Sequence, residues 1–564
     1  MSGCLRRPSR SGGVGIVNGQ VYDPANGIDG QARDIWVKEG RIVPAAEIDR
    51  QAPVEIIQAD GLVVMPGGVD IHSHIAGSKV NAGRRMCPED HRADVWPRSA
   101  TTRSGVGHTV PTTFVTGYRY LEMGYTTVME AAMPPLLARH THEELNDIPL
   151  LDKGAYTLMG NNRFLLGCLR DKEHSKARDF VAWLIEATRG YAIKIVSAGA
   201  VENWKAGKRV TDLDDVVEAW NVTPRQIILL LADISSELRL PHGPHIHVNR
   251  LGHAGNASTT IRTIQALEGR RAHLAHLQFA SYGGGDGHPL RSGAAEVAEA
   301  VNAHRNLTVD VGQVVFGPTT TMTADAPLEH VLHQLSGNKW MNNDIEEETG
   351  GGVVPMNHGR RNTVSALQWC IGLELFLRIQ DPWQVFLTTD HPNGGPFTAY
   401  PEIIGLLMDS SFRDRVLASL PDKSRRRTGL GDLRREFSLN EIAIVTRAGT
   451  ARALGLKNKG HLGIGADADI AIYDPQPDRV AMFSRALFVV KGGHVVVRDG
   501  HLADSFAACP APDGTARTLC VAPGWDRSIL PSLRQHFDEH YTVSFDNYAL
   551  QDEYVPCREV VPCT

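Results

Sequence analysis

Short apolar runs alternate with longer stretches of helical periodicity through the middle of the chain. The short runs have the length of buried strands, whereas stretches such as "SKARDFVAWLIEATR" (175–189) and "GAAEVAEAVNAH" (293–304) have the spacing of amphipathic helices. Strands that alternate with helices are typical of a parallel sheet built from βα units. Eight units of this kind favour an α/β fold with a TIM-like (β/α)8 barrel. The predicted strands are residues 62–74, 124–131, 154–160, 192–197, 245–250, 273–281, 307–315 and 385–390.

The two ends of the chain have a different pattern. Residues 14–65 and about 468–500 contain β-branched runs separated by turn residues, which predicts short strands. We expect these distant segments to pair into one small β-sandwich. Long connections after strands one and seven (75–123 and 316–384) are expected to build the substrate pocket, as such insertions usually do in a barrel. The predicted domains are a composite β-sandwich (14–65 plus 440–505), the barrel (66–439) and a C-terminal extension (506–564).

Composition excludes several classes of partner. The chain has 564 residues, of which 42% are hydrophobic and 22% charged, and its formal net charge is −6. This balance predicts neither a nucleic-acid partner nor a membrane partner. No window approaches the ~18 uninterrupted apolar residues of a membrane span. No apolar segment follows the N-terminal "MSGCLRRPSRSGG", so we expect no signal peptide and a cytoplasmic protein. The eight cysteines form no CxxC pair, which argues against an iron–sulfur site or a zinc ribbon.

The run "GYAIKIVSAGA" (190–200) places a single lysine, Lys194, inside the fourth predicted strand. A buried ammonium group is costly unless it is paired, neutral or chemically modified. Burial lowers the pKa of a lysine, and the neutral amine can react with CO₂ to form a carbamate. A carbamate is a carboxylate at the end of a long side chain, which suits it to bridging two cations. The alternative is a lysine that extends to the strand end and pairs with an acid.

Histidines spaced two apart suggest a metal site at the end of the first strand. Residues two apart in a strand point to the same side, so His72 and His74 in "VDIHSHIAG" can reach one ion. The spacing alone is a weak signal, because His140 and His142 share it. The other candidates strengthen it, since they fall near the ends of other predicted strands, which converge on one face of a barrel. The candidate metal-binding residues are His72, His74, Lys194, His247 (with His245 as the alternative on the same strand face), His276 and Asp390.

This ordered pattern resembles the amidohydrolase superfamily, in the branch with two metal ions bridged by a carboxylated lysine. The segment "GHLGIGADADIAIYDPQ" (460–476) is similar to the one by which such enzymes re-enter their β-sandwich after the barrel. The resemblance implies two divalent ions and an N6-carboxylysine at Lys194. Zinc is the expected metal, because it accepts imidazole and carboxylate ligands. The implied ligands are His72, His74 and Asp390 for the first ion, and His247 and His276 for the second, with Lys194 between them.

Four longer motifs give a narrower resemblance. Together with the tail "HYTVSFDNY", they are similar to the A subunits of formylmethanofuran dehydrogenases and of bacterial formyltransferase/hydrolase complexes. Abundant arginine and alanine, typical of a GC-rich genome, favour the bacterial form. The resemblance implies a formylmethanofuran-type substrate, formate and a free amine as products, and a formyltransferase subunit with two further subunits as partners in one-carbon metabolism. The four motifs are "GGVDIHSHIAGSKVNAGRRMCPEDHR", "HIHVNRLGHAGN", "AHLQFASYGGGDGH" and "TTDHPNGGPF".

The same resemblance implies roles for Asp390 and for the neighbouring loops. Asp390 is expected to take a proton from water and pass it to the leaving amine, as general base and then general acid. Its alternative role is a helix N-cap ahead of "PNGGPF". Polar residues in the loops after the metal-binding strands are expected to contact substrate, although they can equally shape the loops. The predicted substrate-binding residues are Asn249, Asn256, Tyr282 and Asn393.

Three other functions fit the same residues. A cyclic amidase of the hydantoinase or dihydropyrimidinase type would use the same metal ligands. A non-catalytic scaffold subunit would normally lose some ligands, whereas every expected position is filled here. An archaeal redox complex would place this chain beside a tungsten or molybdenum subunit, because the chain itself contains no redox motif.

Overall fold

The computed structural model describes residues 13–49, 51–99, 102–208, 212–285, 287–343, 351–503 and 516–563. Two sequence predictions fall partly outside the described residues. They are the absence of a signal peptide, which rests largely on residues 1–12, and the start of the predicted C-terminal extension, residues 506–515. Among the helices of the described ranges, none combines the length and the apolar character needed to cross a membrane.

A parallel barrel forms the centre of the molecule. Within the described residues it contains one strand for each of the eight predicted from the sequence, and each strand pairs in parallel with the next along the chain. A bridge between Ser73 and His391 brings the first and last strands together, so the barrel is nearly closed. The predicted fold class is confirmed. We number the barrel strands β1 (Gly68–Ser73), β2 (Tyr125–Met133), β3 (Asp152–Leu158), β4 (Ala192–Val196), β5 (His245–His247), β6 (Ala272–Leu274), β7 (Leu307–Asp310) and β8 (Val385–Phe386).

Helices cover the barrel with their apolar faces. The two helices predicted above are present at His174–Ala187 and Ala294–Ala303. In the first, Phe180, Val181 and Leu184 are fully buried. The other longer helices are Ser78–Met86, Thr113–Glu122, Ala138–Asp147, Arg163–Arg170, Pro224–Glu237, Asn256–Ala266, Ala326–Ser336, Thr363–Arg378, Tyr400–Met408, Ser410–Ala418 and Leu530–His540. Shorter ones are Ala200–Lys205, Asp422–Arg425, Leu439–Ala443, Gly449–Ala453 and Arg479–Ser484.

A separate sheet joins the two ends of the chain, as the sequence predicts. Its halves meet where Val63–Pro66 pairs antiparallel with Ile470–Tyr473. Ile16, Val64 and Ile472 lie in its own apolar core. In the described part of the chain its nine strands are Gly13–Asp23, Ile28–Lys38, Arg41–Val43, Val54–Gln58, Val63–Pro66, Ile470–Tyr473, Phe488–Lys491, His494–Arg498 and His501–Leu502.

The C-terminal residues pack onto the chain's own barrel. Thr518–Cys520 pairs in parallel with the first residues of β3, and Arg558–Val560 pairs with Thr518–Cys520. At this end of the barrel, buried Asp152 accepts hydrogen bonds from Lys491 Nζ at 2.8 Å and from the backbone N–H of Arg517 at 2.7 Å. Because Lys491 belongs to the separate sheet, these contacts tie the barrel, that sheet and the C-terminal segment together.

The connections on the opposite face of the barrel are more elaborate. The connection after β7 folds into an antiparallel sheet, with helix Ala326–Ser336 after its first strand. The connection after β1 packs against this sheet, in an apolar cluster that includes Val80 and Met322. A short hairpin follows β6. The strands of the sheet are Gly317–Thr323, Met341–Asn343 and Gly351–His358, and those of the hairpin are Tyr282–Gly285 and His288–Ser292.

Candidate metal centre

A cavity of about 630 Å³ lies at the C-terminal ends of the barrel strands. Residues of the connection after β7 form part of its wall, as predicted for 316–384. No described residue of the other predicted insertion, 75–123, lines it, so that segment supports the wall from behind. The structure brings together six residues that the sequence predicts as metal ligands, although their binding of metal stays a prediction. The six are His72, His74, Lys194, His247, His276 and Asp390.

His72 and His74 converge on Asp390. His72 Nε2 lies 2.9 Å and His74 Nε2 lies 3.5 Å from Asp390 Oδ1. The two histidines are separated by one residue at the end of β1, so the strand period directs both rings into the barrel. Ligand atoms of the three residues all lie within 4.8 Å of one another. This grouping is compact enough to hold one ion.

His245 and His247 occupy different levels of the same strand face. His247 lines the cavity, with its ring centroid 4.6 Å from that of His276. His245 lies behind His72, because its Nε2 is 2.9 Å from His72 Nδ1 and its Nδ1 is 3.2 Å from His242 Nε2. Both His245 nitrogens are therefore engaged inside the barrel. The geometry favours His247 as the cavity residue and gives His245 a supporting position.

His276 and Asp390 enter the cavity from strained backbone positions. Their φ angles are +35° and +50°, in the left-handed region that residues other than glycine rarely adopt. Backbone hydrogen bonds hold both residues. His276 N–H donates to Asp310 Oδ1 at 3.0 Å, and Asn393 N–H donates to the Asp390 carbonyl oxygen at 2.6 Å.

Lys194 lies in β4 with 2% of its surface exposed. Burial lowers the pKa of its ammonium group to about 8, although the Asp390 and Asp310 carboxylates act in the opposite direction. A fraction of the lysine is therefore neutral near neutral pH, and the neutral amine is the form that reacts with CO₂. Within the described ranges no carboxylate forms an ion pair with it, so the pairing required by the alternative interpretation is not present.

Four buried ligand atoms at the cavity form no well-directed hydrogen bond among the described residues: His72 Nε2, His247 Nε2, His276 Nδ1 and Asp390 Oδ1. His72 Nε2 and Asp390 Oδ1 face each other at 2.9 Å, and His247 Nε2 lies 3.5 Å from Asp325 Oδ2. Imidazole and carboxylate atoms gathered in this way fit a site completed by bound cations. Imidazole nitrogens and carboxylate oxygens are ligands that zinc accepts.

Two buried carboxylates hold the histidines of β1, and sequence analysis missed both. Asp310, at the end of β7, lies 3.1 Å from His72 Nδ1. Glu130, in β2, lies 3.1 Å from His74 Nδ1 and accepts a hydrogen bond from the backbone N–H of Ile75 at 2.7 Å. A carboxylate on the far nitrogen fixes the orientation and tautomer of a metal-binding histidine. The available signal is the single acid inside each apolar run, "TTVMEA" and "LTVDV".

A third carboxylate that sequence analysis missed, Asp325, faces His247. Its Oδ2 accepts a hydrogen bond from Ser197 Oγ at 2.5 Å and lies 3.5 Å from His247 Nε2. Its Oδ1 accepts from the backbone N–H of Leu328 at 3.1 Å, which caps helix Ala326–Ser336. The cap fixes Asp325 at the cavity wall, where it can orient His247.

The four predicted substrate-binding residues divide into two pairs. Tyr282 and Asn393 line the cavity, whereas Asn249 and Asn256 do not. Asn249 Nδ2 donates to a backbone carbonyl at 2.9 Å. Asn256 Nδ2 donates to another at 2.8 Å, and its Oδ1 accepts from the Tyr282 N–H at 2.8 Å. Asn249 and Asn256 therefore shape the loops around the cavity. Substrate contact stays a prediction for all four residues.

Replacing Asp310 with asparagine is expected to weaken metal binding by about 10- to 100-fold, because the variant loses the charge that orients His72. Chelator competition with the purified chain measures this affinity. Asp474 is exposed, so Asp474→Asn is a matched control that should keep the wild-type affinity. Equal affinities in the two variants would show that Asp310 supports no metal site.

The barrel and its separate sheet are those of the amidohydrolase family, and the chain belongs to this family, whose family model matches residues 55–497. Members of this family usually bind divalent metals, and the membership supports a hydrolase.

The chain also matches two relatives over nearly its full length. Protein FwdA of Methanocaldococcus jannaschii is 45% identical over 567 aligned positions, which cover 97% of this chain and 98% of the relative. The A component of the formyltransferase/hydrolase complex Fhc of Methylorubrum extorquens is 40% identical over 553 positions, which cover 96% and 97%. The chain therefore belongs with FwdA and this Fhc component inside the amidohydrolase family, and the resemblance found in its motifs is confirmed.

A solved structure also matches this chain over nearly its full length. In the crystal structure of the FhcABCD complex from Methylorubrum extorquens with methylofuran, one chain matches this one with a TM-score of 0.90 and 39% sequence identity. The match covers 98% of this chain and 100% of that chain.

Proposed function

We propose that this chain hydrolyses an N-formyl amine of the formylmethanofuran type to formate and the free amine, in a reversible reaction. We further propose that it works in the cytoplasm as the hydrolase subunit of a formyltransferase/hydrolase complex in one-carbon metabolism. One observation carries the proposal: the full set of predicted metal ligands lines one cavity in a chain that matches the A component of Fhc from end to end. A scaffold subunit without catalytic activity would be expected to lose part of that set.

The residues around the cavity fit a binuclear metal centre, because buried imidazole nitrogens and the Asp390 carboxylate face one another there without well-directed hydrogen bonds in the described chain. His72, His74 and Asp390 would hold one ion. His247 and His276 would hold the other, with Lys194 as N6-carboxylysine between the two. Bound divalent ions, which we propose to be zinc, supply a Lewis acid and lower the pKa of water.

Lys194 and Asp390 would have different tasks. The neutral Lys194 amine adds CO₂ and releases a proton, and the resulting carboxylate extends into the cavity. Asp390 carries an ionised carboxylate, the form in which it can accept a proton. Burial acts to raise its pKa, but His276 and His72 hold that pKa well below its usual range, so the side chain is an ionised acceptor. We propose that Asp390 accepts a proton of water and then donates it to the nitrogen of the leaving amine.

Part of the cavity wall is apolar. Phe279, Leu290, Leu328 and Met356 line it, and a wall of this kind suits the ring and methylene carbons of an arylmethyl amine. The Methylorubrum extorquens complex was solved with methylofuran. We therefore propose a furan-methylamine body as the part of the substrate that contacts this wall.

The proposed partners are a formyltransferase subunit together with two further subunits, as in a four-subunit FhcABCD assembly. The similarity to the archaeal FwdA keeps the redox-complex alternative open. In that alternative the hydrolytic step stays on this chain, and the redox step belongs to a partner because the sequence contains no CxxC pair.

A substrate comparison tests the proposal against a cyclic amidase. We expect the metal-loaded chain to release formate from N-formylfurfurylamine with a kcat/KM at least about 100-fold higher than its kcat/KM for opening hydantoin or dihydrouracil. Formate and ring-opened product are measured in parallel on one preparation. A preference for the cyclic substrates would establish the cyclic amidase instead.

A further inference from the structure

Glu329 is a buried carboxyl group that lines the cavity and is not among the proposed metal ligands. It lies on helix Ala326–Ser336 with 1% of its surface exposed. The neighbouring strand makes room for it, because a Cβ atom on Gly352 would clash with the Glu329 side chain. In the described part of the molecule no lysine, arginine or histidine forms an ion pair with this group. A carboxyl group buried without a cation requires a physical explanation.

Thr321 contacts one oxygen of this carboxyl group. Its Oγ1 donates to the backbone carbonyl oxygen of Val354 at 2.9 Å and to Glu329 Oε2 at 3.2 Å, so its single proton is shared between two acceptors. The contact engages Glu329 Oε2 and fixes the side chain at the cavity wall.

Burial and the charges around Glu329 favour its neutral form. Burial raises the pKa of Glu329 well above its usual range, and the negative charges of Asp325 and Asp390 act in the same direction. The Thr321 contact and the positive charge of Lys79 oppose the shift but do not cancel it. Because Thr321 engages Oε2, the second oxygen of Glu329, Oε1, stays available as an acceptor. Oε1 has no hydrogen-bond partner among the described residues.

We propose that Glu329 positions the substrate by accepting the N–H of the formyl amine at Oε1. This inference rests on the proposed function. A secondary formamide carries one N–H donor, which is costly to bury without an acceptor. In the trans form that N–H points away from the carbonyl oxygen, so its acceptor must lie apart from the groups that bind this oxygen. Glu329 meets that requirement, because it lies on the helix after β7 rather than among the strand-end histidines.

Two variants of Glu329, studied in the full-length metal-loaded chain, test the acceptor role. Glu329→Gln keeps a carbonyl oxygen as an acceptor toward the substrate, so kcat/KM for N-formylfurfurylamine should stay within about 3-fold of wild type. Glu329→Leu has a similar size but no acceptor, so kcat/KM should fall about 10- to 100-fold. Retained activity in the isosteric Glu329→Gln variant would indicate a hydrogen-bond acceptor, because an ionised catalytic base would lose its function in this substitution.

A second substrate tests the same contact by removing the hydrogen-bond donor. N-Methyl-N-formylfurfurylamine has no N–H, so the wild-type chain should prefer the parent formamide. In Glu329→Leu that preference should shrink by at least about 5-fold, and in Glu329→Gln it should persist. A purely structural role for Glu329 would instead reduce the hydrolysis of both substrates equally. The comparison within the wild-type chain needs no variant.

Different results of these experiments would overturn the role of Glu329 and the proposed function. Loss of activity in Glu329→Gln, or an unchanged substrate preference in Glu329→Leu, would overturn the inference while leaving formamide hydrolysis in place. A wild-type chain that prefers neither formamide would also overturn the inference. A metal-loaded wild-type chain that releases formate from neither substrate would overturn both.

Discussion

Replacing Lys194 with alanine is expected to reduce formate release by at least about 100-fold and to lower the metal content of the chain. The truncated side chain cannot form a carbamate, so the cavity loses the carboxylate proposed to lie between the two ions. The remaining histidines would keep one ion at best. Formate release and metal content measured on the same preparations test this expectation.

Lys153 offers a matched control for this substitution. It is also a buried strand lysine whose pKa is lowered to about 8 by burial, but its Nζ donates to the Ile148 carbonyl oxygen at 2.8 Å and does not reach the cavity. Lys153→Ala should therefore keep the wild-type metal content. Short carboxylic acids such as acetate or propionate should restore part of the activity of Lys194→Ala, by supplying a carboxylate in the emptied space. Full activity of Lys194→Ala without such additives would exclude a bridging role for Lys194.

Replacing Asp390 with asparagine is expected to lower kcat by about 10²- to 10⁴-fold, because asparagine can neither accept the proton of water nor return it to the amine. His72 and His74 remain, so part of the metal content should be retained. The activity is compared per bound ion, which separates the loss of proton transfer from the loss of a ligand.

Exposed Asp474 again provides the control, because Asp474→Asn makes the same chemical change away from the cavity. Its kcat should equal that of wild type. An Asp390→Asn chain with the wild-type kcat per bound ion would assign the proton transfer to another group and leave Asp390 as a ligand or a structural cap.

The barrel was predictable because its strands carry a strong local signal. Runs such as "AIKIVS" are apolar, β-branched and bounded by glycine, and they lie between amphipathic helices. The strands at Thr518–Cys520 and Arg558–Val560 could not be predicted in this way. Each has three residues, which is too short to show a period, and each exists because a neighbouring strand offers a free edge.

Some residues of the candidate site were predictable from local sequence, and others were not. His72 and His74 were predictable, because one strand sets their relative direction. The choice between His245 and His247 was not, because alternation places both on one face and only the closed barrel sets their depth. The supporting carboxylates Asp310 and Glu130 come from distant strands, so their pairing with histidines depends on how the barrel closes and not on any local spacing.

Metal content by mass spectrometry, measured together with formate release from N-formylfurfurylamine on one preparation of the wild-type chain, tests whether this protein is a two-metal formamide hydrolase. We expect about two divalent ions per chain. We also expect formate release that disappears on chelation and returns when zinc is added back. A well-folded chain that binds no metal and releases no formate, with or without added zinc, would exclude the metal-dependent hydrolase and leave the scaffold alternative standing.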